Sequence, residues 1–584
     1  MVLSRRSLLT LAAAPAFLQP KTRPPNIILI LTDDQGWWDL GAHGNPYIET
    51  PHIDRLAKEG ASFQRFYVSP VCAPTRASLM TGRYYLRTGI YNTRFGGDTI
   101  DAGEITIAEL LRARGYRTGL FGKWHLGHYR RYQPDQRGFD EFLGFRQGHI
   151  ERYFHPDQLL HNGRAVRARG HVTDLFTDAA ISFMRANRER PFFLYLAYNV
   201  PHSPNYVENR WVEKYIKKGV PLGDAQIYGM LSHCDENIGR LMKTLDAERL
   251  GQNTVVLFLT DNGGVSRHYR AGLRGAKGSA FEGGIRVPCF VRWPGRIAPG
   301  TRDASQRAAF DLFPTLCEIA DVNVPGDRVI DGRSLLAAEP HRSLCHIWDR
   351  FQPNLASNWS ITESRYKLAG PLLFDLPADP GEKTDLAAAH PDIASRMRGA
   401  FTTWLDEMKR GQRLEPLPVE VGRADENPVE LLPSWARLKG THTTWNSPGG
   451  TPSNAELLPG SGESDRGRNY SFAGYDWDTI DSWSQPGDAA DWLVEIVRSG
   501  RYRITVVYGC DRANAGGKYR IAIGDASLTG TVVFTGGRNV FQTYEAGALV
   551  LRQGSASARV SVIESSGHAR ELMALNRIWL ERIA

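Results

Sequence analysis

Cysteine is scarce. Cys72, Cys234, Cys289, Cys317, Cys345 and Cys510 are the only six in 584 residues, too scattered for a disulfide framework and without zinc-ligand spacing. A long Lys/Arg block is also missing. The formal net charge of +8 is modest for this length, so no nucleic-acid partner is indicated. Solvated surface and attraction of anionic substrates both fit it. No segment is apolar for long enough to cross a bilayer, so a transmembrane protein is not expected. Short internal repeats are absent too. What remains, 42 % hydrophobic and 23 % charged residues, is the composition of ordinary globular protein. The length calls for at least two domains.

The N-terminus reads as a processing segment. Ser4-Arg5-Arg6-Ser7-Leu8-Leu9 precedes a short apolar run, Leu11 to Phe17, with small residues at Ala14-Pro15-Ala16. An arginine pair, a short apolar stretch and small residues together mark residues 1–19 as a twin-arginine export signal. The twin-arginine export machinery is then a partner, and the location is the periplasm or the exterior of a bacterium. Such export carries folded protein, so disulfides are not assumed, with Cys317 to Cys345 the one candidate pair.

Residues 20–338 alternate strand and helix patterns. Asn26 to Leu31, Phe192 to Ala197, Thr254 to Thr260 and Val287 to Val291 are nearly continuous apolar runs, the pattern of strands buried on both faces of a mainly parallel sheet. Helical stretches fall between them, at Ile53 to Glu59, Ile105 to Arg114 and Asp174 to Asn187. The expected fold class is α/β, a mainly parallel sheet covered by helices. Residues 339–411 read as a smaller α+β subdomain, with strands at Ser360 to Leu368 and Pro371 to Leu376 and an amphipathic helix from Pro391 to Lys409. A Pro- and Glu-rich stretch at 412–428 is expected to be a linker. Residues 429–584 then lose the helical signal and show short strands between turns, as in a β-sandwich.

Two of the strand-like runs end in oxygen-bearing side chains. One leads into Thr32-Asp33-Asp34, the other into Asp261-Asn262. In an open α/β sheet, ligands bind beyond the carboxyl ends of the strands. Three carboxylates and an amide oxygen gathered there form a hard, all-oxygen site suited to Ca²⁺, or Mg²⁺ in its place, rather than zinc. Between these runs lies Cys72-Ala73-Pro74-Thr75-Arg76, followed by Ala77-Ser78-Leu79-Met80-Thr81-Gly82-Arg83.

That twelve-residue stretch resembles the signature of type I sulfatases, the formylglycine-dependent members of the alkaline phosphatase superfamily. Gly122-Lys123-Trp124-His125-Leu126-Gly127, Pro201-His202 and Lys277-Gly278-Ser279-Ala280-Phe281-Glu282-Gly283-Gly284 match further segments of that family in order. So does the turn from Leu376 to Lys383, and the likeness spans residues 25 to 410. One departure is Gly36-Trp37-Trp38-Asp39, where many members have Gly-Trp-Gly-Asp; it adds a bulky ring beside the acidic loop.

The resemblance implies a mechanism. A formylglycine-generating enzyme, a second partner, converts Cys72 to formylglycine (3-oxoalanine). One hydroxyl of its hydrate attacks sulfur, and the other later loses its proton and expels sulfate. Asp33, Asp34, Asp261 and Asn262 hold calcium, with residue 72 as a further ligand. Lys123 and Lys277 contact the sulfate oxygens and Arg76 stabilises the hydrate. His125 contacts the hydrate and is its base, and His202 protonates or binds the departing oxygen. His149 lies where the family often places another sulfate-contacting residue.

The implied function is that of an exported sulfatase acting on a sulfated small molecule or glycan. A phosphoester or phosphonate monoester hydrolase of the same superfamily could use the same groups. A non-catalytic glycan-binding protein would have no use for an intact Cys-x-Pro-x-Arg core. The C-terminal region resembles the galactose-binding-like sandwiches appended to carbohydrate enzymes, with Ser499-Gly500-Arg501-Tyr502 opening a strand and Asn576-Arg577-Ile578-Trp579-Leu580 closing the domain. Every residue with a chemical role lies between Asp33 and Lys277, so a chain cut near Arg410 is expected to keep its activity on a small aryl sulfate.

Overall fold

The computed structural model describes residues 23–93, 96–150, 152–338, 342–349, 353–410, 413, 415–440, 444–446, 478–566 and 571–584. The export signal expected at 1–19 lies outside them. The first apolar run forms β1 (Asn26–Thr32), buried along its whole length. Four more strands run parallel in this part of the sheet: β2 (Arg117–Lys123), β3 (Glu141–Phe145), β4 (Phe192–Ala197) and β5 (Thr254–Thr260), in the spatial order β5-β1-β4-β2-β3. Antiparallel strands flank this centre, Cys289–Arg292 against β5 and Leu159–His161 against β3. The described sheet has 11 strands.

Alternate residues of β1 serve two cores. Ile27, Leu29 and Leu31 pack on the side of helix α1 (Cys72–Thr81), whereas Ile28 and Ile30 pack on the side of the long helix Leu222–Ala247. Both faces are therefore apolar, and the strand shows no polar alternation. Trimming Leu29 to alanine would cost about 2–5 kcal/mol through the cavity it leaves. The run expected from Val287 to Val291 is two strands, Arg286–Val287 and Cys289–Arg292. They are divided at Pro288, which has no N–H to give to a ladder.

The subdomain is a four-stranded antiparallel sheet, Leu344–Trp348, Asn358–Thr362, Tyr366–Ala369 and Leu372–Asp375, covered by helix α2 (Pro391–Lys409). The stretch Ser360 to Leu368 is a hairpin rather than one strand, turned back where the Glu363 N–H meets the Tyr366 carbonyl at 2.9 Å. Helix α2 buries Met397, Phe401, Leu405 and Met408, and Phe401 stacks on Trp359 with ring centroids 4.2 Å apart.

The C-terminal region forms two six-stranded sheets that share one core around Trp483, Trp492, Tyr502 and Ile578. The described part of the stretch expected to be a linker, residues 415–428, is not free. Val419–Val421 is a strand paired in parallel with Ala489–Ile496, a three-residue element too short to show through the Pro- and Glu-rich composition. The sandwich core also takes in Tyr129 and Tyr132, which belong to the chain just after β2. All six cysteines are buried and free, so Cys317 and Cys345 are not bridged. Among the described residues no helix is long and apolar enough to cross a membrane.

Candidate active site

The loops that leave β1, β2, β4 and β5 meet the start of α1 at one edge of the sheet. Cys72 is the first residue of α1, and the whole helix is buried. Pro74 is tolerated in the first turn, where its missing N–H has no helical partner to lose. The Thr75 hydroxyl accepts from the Ser69 N–H at 2.9 Å and so pins the approach to Cys72. One turn on, Arg76 lies on the same side of the helix as Cys72. Gly82 closes the helix with φ 73°, its N–H on the Ser78 carbonyl at 2.9 Å; a Cβ there would come within 2.8 Å of Phe313. The twelve-residue motif thus folds as a buried helix that starts at Cys72 and is capped at Gly82.

Arg76 donates twice to Asp261 Oδ2, from Nε at 3.0 Å and from a terminal nitrogen at 2.8 Å, and its other terminal nitrogen reaches the Lys123 carbonyl at 3.1 Å. Lys123, the last residue of β2, holds Asp33 Oδ2 at 2.7 Å, and Lys277 lies 2.7 Å from Asp34 Oδ1. Asn262 donates to Asp34 Oδ1 at 2.9 Å. Three carboxylates, Asp33, Asp34 and Asp261, therefore face three cations, Arg76, Lys123 and Lys277, in a buried volume. Ligand atoms of Asp33, Cys72 and Asp261 all lie within 4.8 Å of one another. Asp33 Oδ1 and Asn262 Oδ1 are buried and accept from no protein donor. Buried acceptors are rarely left so, and these two oxygens, with the carboxylates around them, fit a hard cation such as Ca²⁺ or Mg²⁺.

Electrostatics divide the acids. Burial, against the pull of Lys123, pushes Asp33 up to about 6, and burial together with the nearby Asp33 carboxylate does the same to Asp261. Asp34 feels the same burial, but Lys277, His202 and Asn262 outweigh it and hold it well below the usual range. Asp34 itself raises Lys277 against the effect of burial. Asp34 and His125 both have left-handed backbone, φ 69° and 63°, a strain of about 1–3 kcal/mol each that functional sites tend to hold.

His125, His149 and His202 line the same edge. Burial first, then Lys123, lowers His125 to about 3, and burial with Lys277 lowers His202 to about 3. His125 Nε2 lies 3.0 Å from the Thr93 carbonyl, which can only accept. The proton therefore sits on Nε2, and Nδ1, buried without a protein partner, is the basic nitrogen. The same logic puts the His202 proton on Nδ1, 2.7 Å from the Ser203 carbonyl, while Nε2 lies 3.9 Å from Asp34 Oδ2. His149 stacks on His202 with centroids 5.8 Å apart.

The sulfatase family profile matches residues 25–322. The chain belongs to the sulfatase family. It is a sulfuric ester hydrolase, similar to the steryl-sulfatase of Mus musculus at 30 % identity over 70 % of this chain and 85 % of that one. The N-acetylgalactosamine-6-sulfatase of Homo sapiens is 35 % identical over 63 % of this chain and 82 % of its own length. Among solved structures, Ps i-CgsB in complex with k-i-k-neocarrahexaose superposes with a TM-score of 0.62 at 31 % identity, covering 67 % of this chain and 94 % of that one.

In this sulfatase, Trp38, which stands where many members have glycine, is fully buried and donates to the Ser266 hydroxyl at 2.7 Å. It packs against Gly36 beside the acidic loop, where a Cβ on that glycine would come within 2.6 Å of the indole. Asp98, which sequence reading passed over, lies 3.6 Å from His125 Nε2; an Asp after two glycines carries no motif. A second group, His171, Asp174 and His233, also brings ligand atoms together. Both nitrogens of His171 are engaged there, one by the Thr173 N–H at 3.2 Å and one at the Tyr206 carbonyl at 3.0 Å, so it caps its helix instead.

Proposed function

We propose that this sulfatase removes sulfate from a sulfated carbohydrate after export, with residue 72 as nucleophile once Cys72 is oxidised to formylglycine. The observation that carries the reading is Cys72 at the start of a buried helix, with its sulfur within 4.8 Å of Asp33 and Asp261 oxygens. As the aldehyde hydrate, residue 72 supplies one hydroxyl to attack sulfur and a second whose deprotonation releases sulfate. Calcium held by Asp33, Asp34, Asp261 and Asn262 would acidify that hydroxyl and draw charge from the ester.

The remaining steps fall to the chain itself. Three carboxylates balanced by three cations leave the bare pocket neutral, so a bound dication gives it the excess positive charge an anionic ester needs. Lys123 and Lys277 then face the sulfate oxygens, and Arg76 fixes the start of α1 through Asp261. Neutral His125 takes a proton on Nδ1. The anionic ester raises the proton affinity of His202, against Lys277, so that its Nε2 can protonate the departing alcohol. Relatives named N-acetylgalactosamine-6-sulfatase and a solved structure in complex with k-i-k-neocarrahexaose favour a sugar ester. The residues that suggested a glycan platform on the sandwich give this little support, because Arg577 turns inward to Glu430 at 3.0 Å.

The test has two parts. Protein co-expressed with a formylglycine-generating enzyme should yield a residue-72 peptide with the mass of the aldehyde, and Cys72→Ala should lose nearly all turnover while staying folded. On a panel of sulfated oligosaccharides with matched phosphate esters, sulfate should be released faster. Unmodified cysteine in fully active protein, or faster phosphate release, would refute the reading.

A further inference from the structure

Glu430 lies in the short strand Val429–Leu431 of the sandwich, paired with the last strand of the chain, and is 5 % exposed. Its carboxylate is the meeting point of three donors. Oε1 takes His128 Nε2 at 2.7 Å and an Arg146 terminal nitrogen at 2.8 Å, and Oε2 takes Arg577 at 3.0 Å. Its backbone carbonyl accepts the Tyr129 hydroxyl at 3.0 Å. Arg577 belongs to the sandwich, but His128 and Arg146 do not. They belong to the two loops that leave β2 and β3 at the catalytic edge.

Those loops present the imidazoles. Past the end of β2 and β3 the ladder continues, with the Trp124 N–H on the Phe145 carbonyl at 3.0 Å and the His125 N–H on the Arg146 carbonyl at 3.1 Å. Gly148 lies so close to the His125 ring that a Cβ would come within 2.7 Å of it. His149 follows and stacks on His202. His128 is three residues after His125 and Arg146 three before His149, so one carboxylate oxygen ties together both loops on which these rings stand.

We propose that Glu430 is a positioning residue, through which the sandwich domain holds the His125 and His149 loops in register with the sulfate pocket. The proposal rests on the catalytic reading given above for His125. Burial opposes ionisation of Glu430, but His128, Arg146 and Arg577 outweigh it and keep its carboxyl far below the ordinary range, so the tie is charged at working pH. Glu430→Gln would turn an amide NH₂ toward one of three donors, release one tether and let the loops shift. A misplacement of about 1 Å in a catalytic group can cost about 100-fold in rate.

The experiment uses the full-length mature protein and a small aryl sulfate. Glu430→Gln should lower kcat about 10- to 100-fold with KM changed less than about twofold. Arg146→Gln, which cuts one tether and leaves Glu430 with His128 and Arg577, should do the same and serves if the first variant fails to fold. Glu420→Gln breaks another junction pair, Arg131 with Glu420 at 2.5 Å, farther along the loop that leaves β2, and leaves the ties at His128 and Arg146 intact. It should keep kcat per folded molecule. Folded Glu430→Gln and Arg146→Gln with wild-type kcat would overturn the proposal, as would an equal loss in Glu420→Gln. His125→Ala is the reference: if it is slow while the tether variants are fast, the positioning claim alone fails. If it is as fast as wild type, the catalytic reading fails and the proposal with it.

Discussion

The sulfate pocket and the junction with the sandwich are both built around buried carboxylates, and they differ in how completely those carboxylates are paired. At the junction both oxygens of Glu430 are taken by donors from two domains. In the pocket, Asp33 Oδ1 and Asn262 Oδ1 have no donor among the protein groups, and burial pushes both Asp33 and Asp261 up to about 6, with help from Asp34 at the first and from Asp33 at the second. A saturated buried charge is finished structure. An unsaturated one, in a fold that otherwise pairs its buried polar groups, points to a partner the chain does not supply.

Removing that partner is the largest way to break the comparison. Exhaustive chelation should abolish turnover and lower the melting temperature, because a cation that binds only the folded state stabilises it by mass action. Added Ca²⁺ should restore both. Glu430→Gln protein should keep this cation response intact, since its defect lies elsewhere. Zinc as the only ion that restores activity would contradict the all-oxygen donor set. Cutting the chain near Arg410 comes next. Placing every chemical role between Asp33 and Lys277 predicted a competent fragment, but Tyr129 and Tyr132 sit in the sandwich core and Glu430 ties the histidine loops. The fragment should lose rate on small and polymeric substrates alike and melt earlier. Full retention of the small-substrate rate would show that the sandwich contributes nothing to the pocket.

What could be read in the sequence follows from the range of the interactions. β1 and β5 were legible because burial on both faces leaves an unbroken apolar run, and their terminal acids because a strand end fixes where a ligand goes. Cys72, Arg76 and Gly82 were legible as a local motif, which the structure folds into one buried helix and its cap. The contacts that orient the site were not. His128 meets Glu430 across 302 residues and Arg146 meets it across 284, and neither pairing leaves a spacing to notice. Composition also misled where an element was very short. Val419–Val421 hid in a segment read as linker, and the hairpin at Glu363 looked like one strand.

The finest test of the contrast sets two junction acids against each other. Glu426, half-buried and four residues before Glu430, accepts the Arg130 N–H at 3.0 Å. Burial raises its carboxyl to about 7, against the Arg130 N–H and the Arg146 charge and with help from Glu430 and Asp425. Its folded form therefore holds a proton that the unfolded chain releases from about 4.5 upward, so stability falls as pH rises from about 4.5 to 7 and then levels off. Glu430 has the opposite sign. Its folded pKa is depressed, so its contribution is complete above the ordinary carboxylate range and is lost only in strong acid. Glutamine at 426 cannot ionise, yet still offers an oxygen to Arg130. Melting temperatures of Glu426→Gln and wild type should thus coincide near pH 4.5 and separate toward pH 7, the variant melting higher. Across that same range Glu430→Gln should melt below wild type, by a margin that narrows toward pH 7 because the charge it removes helps to raise Glu426. A Glu426→Gln difference that stays flat with pH would mean that Glu426 is solvated, and that the junction, unlike the pocket, holds no strained acid at all.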